Sequence, residues 1–137
     1  MLRVALRLAV LVALVLPGAA AAAGSFTAKL TASYVHASGS ASGTATLTLS
    51  AGQVCWKFTL KGLVKAGASS VDKTPPAAAG KPKPAVIPLT KTPTKAGCAA
   101  ASPTDVINLA NRPAQYYLVV ADSTHPNGAV GGVLQAG

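Results

Sequence analysis

Hydrophobic and polar positions alternate with a period of two from Ser25 to Lys61, the pattern of strands with one buried and one wetted face. Phe26, Ala28, Leu30, Ala32 and Tyr34 fall on one side, with Thr27, Lys29, Thr31 and Ser33 on the other. Ala37 to Gly43 is made of small residues and reads as a loop. Ala45, Leu47 and Leu49 then alternate with Thr44, Thr46, Thr48 and Ser50, and Ala51-Gly52 supplies a tight turn. Val54, Trp56, Phe58 and Leu60 form the next inward face, which leaves Cys55, Lys57, Thr59 and Lys61 outward.

Past Lys61 the pattern changes. Lys73 to Pro84 carries four prolines in twelve residues, none with an N–H for a ladder, so a semi-rigid surface crossing is expected in preference to a docking peptide. A short strand, Ala85 to Leu89, follows. Ser102-Pro103-Thr104-Asp105 predicts a helix start: Ser caps, Pro fits the first helical position and Asp105 takes the acidic place of a capping-box-like arrangement. The helix should run to about Asn111, stopped by Pro113, with Val106, Leu109 and Ala110 packed on the sheet. Gln115 to Ala121 is apolar enough to be covered on both faces, and Pro126-Asn127-Gly128 turns the chain into a last strand, Ala129 to Leu134. About seven short strands with Gly/Pro turns and one helix predict an all-β Greek-key sandwich or barrel. Trp56, Phe58, Leu60, Tyr116 and Leu118 are its core candidates.

Residues 1–23 are set apart from this pattern. Arg3 and Arg7 precede an apolar run from Leu8 to Leu16, Pro17-Gly18 breaks it, and Ala21-Ala22-Ala23 supplies small residues, so a signal peptide cleaved near Ala23–Gly24 is expected. The run falls short of the ~20 residues a spanning helix needs, so no transmembrane anchor is expected. Residues 24–137 then form a single domain. Without Arg3 and Arg7 it carries ten Lys/Arg against three Asp and no Glu, a formal charge of +7. That balance favours anionic surfaces, although the lysines are spread along the chain and also serve solubility. Cys55 and Cys98 in an exported chain predict one disulfide. Closing a loop of roughly 40 residues stabilises by about 3–4 kcal/mol on the chain-entropy model. With Cys55 outward, the bond is expected to staple a covering segment onto the outside of the sheet.

The stretch Asn111-Arg-Pro-Ala-Gln-Tyr116-Tyr117 to Leu134 resembles the closing motif of the CHRD (chordin-type) domain. There Asn-Pro and Tyr-Tyr precede a His-containing strand, a Pro-Asn/Ala-Gly turn and an Arg-Gly-Gln-Leu strand. Gly43 to Leu49 is similar to the opening strand of that family, and Val54-Cys-Trp-Lys-Phe-Thr-Leu-Lys-Gly-Leu63 to its Cys-aromatic strand. Pro84 to Leu89 is similar to its Gly-Pro-Val-Val-Val-Pro-Leu, and Gly97-Cys98 to the second cysteine of many bacterial members. The resemblance spans roughly residues 26–135 and implies an immunoglobulin-like or superoxide-dismutase-like β-sandwich working outside the cytoplasm. It departs where the family carries Ala-His-Ile-His-Xaa-Gly, since this chain has Ser69-Ser70-Val71-Asp72-Lys73-Thr74. The family's Asn-Val-His-Thr is Val119-Val120-Ala121-Asp122, and the arginine of Arg-Gly-Gln-Leu is Gly131. Those histidines are the positions to propose for a metal or ligand, and none carries over.

Little chemistry is left to the sequence. His36 and His125 are well separated and fall short of a zinc or copper ligand set, so no metal or other cofactor is expected. His125 reads as a turn residue packed near Pro126. A Ser-His-Asp arrangement can be drawn from many serines and one histidine, but no nucleophile-elbow motif supports it, and geometry defines a triad. Three scattered Asp and no Glu do not make a glycosidase pair, and the aromatics near Lys57 and Lys61 point inward, against specific nucleic-acid binding. The expectation is a secreted or cell-envelope domain that is not an enzyme and acts as a binding or structural module. Its partner would be an anionic envelope polymer or an extracellular protein, and Lys29, Lys57 and Lys61 are its candidate surface. A metal or redox protein on a dismutase-like fold is the remaining alternative, and it lacks ligands.

Overall fold

The computed structural model describes residues 24–91 and 95–137; the expected signal peptide lies outside the described residues. Among the described residues nine strands form one antiparallel sheet: β1 (Gly24–Thr31), β2 (Ser42–Ser50), β3 (Gln53–Lys61), β4 (Ala66–Lys73), β5 (Ile87–Thr90), β6 (Ala96–Ala100), β7 (Tyr116–Asp122), β8 (Val130–Val133) and β9 (Gln135–Ala136). Their order is β5-β4-β7-β8-β1-β2-β3-β6, with β9 beside β1. β1, β2 and β3 are a meander, whereas β3–β6, β4–β7 and β1–β8 bring together strands far apart in sequence. The edge strands β5 and β6 approach each other, so the sheet nearly closes into a sandwich-like all-β fold.

The close approach of β1 and β8 has a steric cause. β1 and β8 pair at Thr31 and Gly131, and a Cβ on Gly132 would sit 2.0 Å from the Lys29 carbonyl oxygen. Only a residue without a side chain lets the two backbones come this close.

Alternation places the core as expected. Phe26, Ala28, Leu30, Ala45, Leu47, Leu49, Val54, Trp56 and Phe58 are buried together with Tyr116, Leu118 and Val120 of β7, while Leu60 is half-buried against them. The first strand ends earlier than the pattern implied. Ala32 is buried, but the chain then enters a 3-10 turn, Ser33–Val35, and Tyr34 leaves the core face for the opposite side of the sheet. Helix α1 (Pro103–Asn111) has its predicted cap: the Asp105 amide donates to Ser102 Oγ at 3.1 Å, and Val106 and Leu109 enter the core. β4 was hidden by its Ala-Gly-Ala-Ser-Ser composition. It is a strand because β7 and β5 pair with it on both sides.

The Cys55–Cys98 disulfide is present, but it does not staple a covering segment. Residues 96–100 add to the sheet as edge strand β6, and the two cysteines are directly opposite in its register with β3. The bond therefore locks an edge strand within the layer. The seating of β6 is tight, since the Trp56 ring lies where a Cβ of Gly97 would be, at 2.8 Å.

Candidate functional site

The two outward faces of the sheet differ. On β1–β2–β3, register lines up Thr27, Thr46 and Lys57 in one row and Lys29, Thr44 and Thr59 in the next, with Lys61 opposite Ser42 beyond them. All seven of Thr27, Lys29, Thr44, Thr46, Lys57, Thr59 and Lys61 are exposed. The three candidate lysines thus share one open face, as alternation implied. Asp72 and Asp122 are both buried elsewhere, and Asp105 belongs to the first turn of α1.

On β4–β7 the outward side is covered. β7 sends Tyr116, Leu118 and Val120 inward, and Tyr117 and Val119 outward into a second apolar cluster with Val35, Tyr34 and Ala37. The Tyr34 and Tyr117 rings stand 5.6 Å apart at 60°, a tilted aromatic pair. Over this side lie the 3-10 turn and the proline-rich segment 74–86. The segment is tied down by the Thr74 amide donating to the Gln115 carbonyl, the Val86 amide to the Val71 carbonyl, and Asn127 Nδ2 to the Gly80 carbonyl. The Lys83 ammonium lies 5.5 Å from the centroid of Tyr117 and donates to the carbonyls of Lys73 and Pro75. Between these parts runs a groove of about 720 Å³, lined by residues of β4, β7, the 35–38 turn, the proline-rich segment and the 124–128 turn. A smaller cavity of about 470 Å³ opens between β3 and β4, and its lining is apolar apart from Thr59 and Lys95.

Two aspartates are buried on this half of the sheet, Asp72 lining the groove and Asp122 behind His125, with opposite consequences. Asp72 accepts from Ser70 Oγ at 2.8 Å and from the Tyr117 hydroxyl at 3.3 Å. Burial still dominates over these bonds and over Lys83, and pushes its carboxyl above the ordinary range. Tyr117 is pushed up strongly, first by burial and then by the Asp72 charge. Asp122 has more donors: the amides of Val64, Thr124 and His125 at 3.1, 3.1 and 2.7 Å, and the Thr124 hydroxyl at 3.0 Å. Burial raises its carboxyl, but these donors and the His125 ring outweigh it and hold the group below its usual value.

His125 is more than a turn residue. Its Nδ1 is 3.1 Å from Asp122 Oδ1 and 2.9 Å from Thr124 Oγ1, and its Nε2 is 3.3 Å from Ser38 Oγ. The 126–128 turn forms as predicted, with Gly128 at φ +137° and its amide donating to the His125 carbonyl at 3.1 Å. Asp122-Ser-Thr-His125 carries a legible local signal, an Asp whose carboxylate takes the amides two and three residues on. Ser38, 87 residues away, carries none.

The two stretches in which the resemblance finds histidines replaced are neighbours in space. Ser70 pairs with Val119 and Asp72 with Tyr117, and Ser70, Asp72, Val119 and Ala121 all line the groove. Gly131 fits the same covering: a Cβ there would lie 2.5 Å from Val35, so the turn is seated where a larger residue would stand. His36 lies in the turn with a left-handed φ of 59° and also lines the groove. Among the described residues, no three His, Cys, Asp or Glu side chains converge on one point, and no helix is long and apolar enough to cross a membrane.

The fold defines a disulfide-bonded all-β protein with one open hydroxyl-and-lysine face and one roofed groove. Its sequence from residue 26 to residue 134 matches the CHRD domain model, and the chain belongs to the CHRD domain family. No curated protein and no solved structure matches it.

Proposed function

We propose that this CHRD domain is a binding module of the cell exterior, and that its open β1–β2–β3 face docks an anionic polymer. The observation that carries this reading is an open face that presents lysines and hydroxyls and no acid. Lys29, Lys57 and Lys61 share a face with a ladder of threonine hydroxyls, while two of the three acids of the chain are buried on the other half of the sheet. From strand geometry the three Cα atoms lie on the order of 12–14 Å apart, a spread that suits repeated charges along a chain better than one small anion. The hydroxyls between them supply donors and acceptors to phosphate, sulfate or carboxylate oxygens. The disulfide supports an oxidising compartment.

The test is retention of the folded protein on an immobilised polyanion under a salt gradient, beside a wash of host envelope fractions with the same salts. Exposed ion pairs are screened within about a Debye length, so elution between low and moderate salt is expected. The K29A/K57A/K61A variant should elute at clearly lower salt than K73A/K81A/K91A, which removes the same charge from elsewhere. Equal elution of the two would leave only net charge and sink the face as the binding surface.

A further inference from the structure

Where the groove meets the 124–128 turn, three side chains from two segments far apart in sequence form a chain of polar contacts. Asp122, at the end of β7, is 5% exposed. Its Oδ1 faces His125 Nδ1 at 3.1 Å, and His125 Nε2 faces Ser38 Oγ at 3.3 Å. Ser38 is exposed at the lip, and the His125 side chain is 28% exposed. All but Asp122 line the groove.

The donor bookkeeping gives this chain a direction. The amides of Val64, Thr124 and His125 all point at the Asp122 carboxylate, which favours its ionised, acceptor-only form. Thr124 spends its single hydroxyl proton on Asp122 Oδ1 and therefore turns a lone pair to His125 Nδ1. With two acceptors around Nδ1, the ring carries its proton there, and Nε2 presents a lone pair to the Ser38 hydroxyl. The order is nucleophile, base and orienter, recognised by geometry and role and not by a sequence motif.

We propose that Ser38, His125 and Asp122 are a hydrolytic relay for small esters with an apolar acyl group. The acyl preference follows from the groove beside Ser38, where Val35, Val119 and Ala77 supply apolar lining. Gly39, which follows the nucleophile at φ +105°, has open space where a Cβ would be, so a reactant can lie against the main chain there. Ser38 Oγ attacks the ester carbonyl carbon as its proton passes to His125 Nε2. The carbon–oxygen bond to the alcohol then breaks, and the alcohol leaves with that proton. Water attacks the acyl-Ser38 ester with His125 again taking a proton, and the carboxylic acid departs as Ser38 regains its hydrogen. Asp122 keeps the ring oriented and stabilises the imidazolium, and it is not protonated in the cycle. The relay lies on the half of the sheet away from the lysine face and does not rest on polymer binding.

The test uses the oxidised protein with a fluorophosphonate probe and with p-nitrophenyl acetate and butyrate. One phosphonyl adduct per chain is expected, mapped by peptide mass spectrometry to Ser38, and retained in S40A, a serine two residues on in the same loop. Nitrophenol release should fall at least tenfold in S38A, whose exposed position leaves folding intact, and at least tenfold in H125Q. If H125Q does not fold, the Ser38 adduct and the S38A comparison decide alone. Labelling that misses Ser38, or equal release by the wild type and S38A, overturns the relay.

Discussion

The outward faces of β1–β2–β3 and β4–β7 belong to one sheet over one core, yet they solve the problem of water in opposite ways. The first alternates strictly, so apart from Gln53 and the disulfide-bonded Cys55 it turns Thr, Ser and Lys outward, and it needs no cover. The second turns Tyr117 and Val119 outward, and these must be roofed by the 33–38 turn and the proline-rich segment. Roofing creates interior on the outside of a sheet. Carboxylates, a tyrosine hydroxyl and a histidine are thereby partly withdrawn from water, where each must find partners or shift its protonation. The open face can offer surface charge and hydroxyls; the roofed face can hold oriented polar groups.

The sharpest way to break this comparison is Y117A. It removes a ring packed on Tyr34 and Val35 together with the donor to Asp72, and should cost about 3–5 kcal/mol in urea unfolding, the range for truncating a buried aromatic. The open-face counterpart T46A should stay within about 0.5 kcal/mol. Similar losses from the two variants would mean that the roof is not part of the stable fold. The open half has one covalent support, and C55A/C98A should lose about 3–4 kcal/mol, while a thiol titration of the folded wild type should find no free thiol.

Next in size is D122A, expected to cost about 1.5–3 kcal/mol by removing the side-chain acceptor of the Val64 and Thr124 amides and leaving the His125 amide only the residue 122 carbonyl. Because Asp122 is held below its unfolded value, its contribution is complete above the unfolded carboxyl range and is lost as pH falls through the folded value. Urea midpoints followed down through the carboxyl range should therefore fall in the wild type and flatten on that branch in D122A. Asp72 runs the other way. Its raised carboxyl makes the ionised form a burden above the folded value, relieved as pH falls through that value and fully absent below the unfolded one. D72N should thus be neutral to stabilising by less than about 1 kcal/mol at pH 7, and should lose the acid-side relief. A D72N loss as large as that of D122A would show that the Ser70 and Tyr117 bonds outweigh burial.

Legibility followed the same division. Trp56 and Phe58 are readable as core because period-two alternation fixes a side chain's face wherever one face is wet, and Tyr116 and Leu118 because their strand is apolar throughout. The Ser102 cap, the turn at Gly128 and the stop before Pro113 were readable because each is a local geometry with its own residue chemistry. The path of Tyr34 was misread because alternation carries no mark of where a strand gives way to a 3-10 turn. The disulfide was found as a pair but misplaced, since spacing along the chain does not say whether Cys98 lies over Cys55 or beside it. β4 was missed because Ala, Gly and Ser have little strand preference of their own, and neighbours on both sides make it a strand.

By itself, then, the sequence determined the layer with one wet face, the caps and turns, the cysteine pair and an excess of positive charge, all of which rest on contacts within a few residues or on composition. Only the tertiary structure decided what the apolar outward side of β7 is covered by, that Ser70 and Asp72 stand beside Val119 and Tyr117, and that Ser38 meets His125 from 87 residues away. A strand apolar on both faces is compatible with many covers. Strand order and register select one, and both are set by the packing of distant segments against each other.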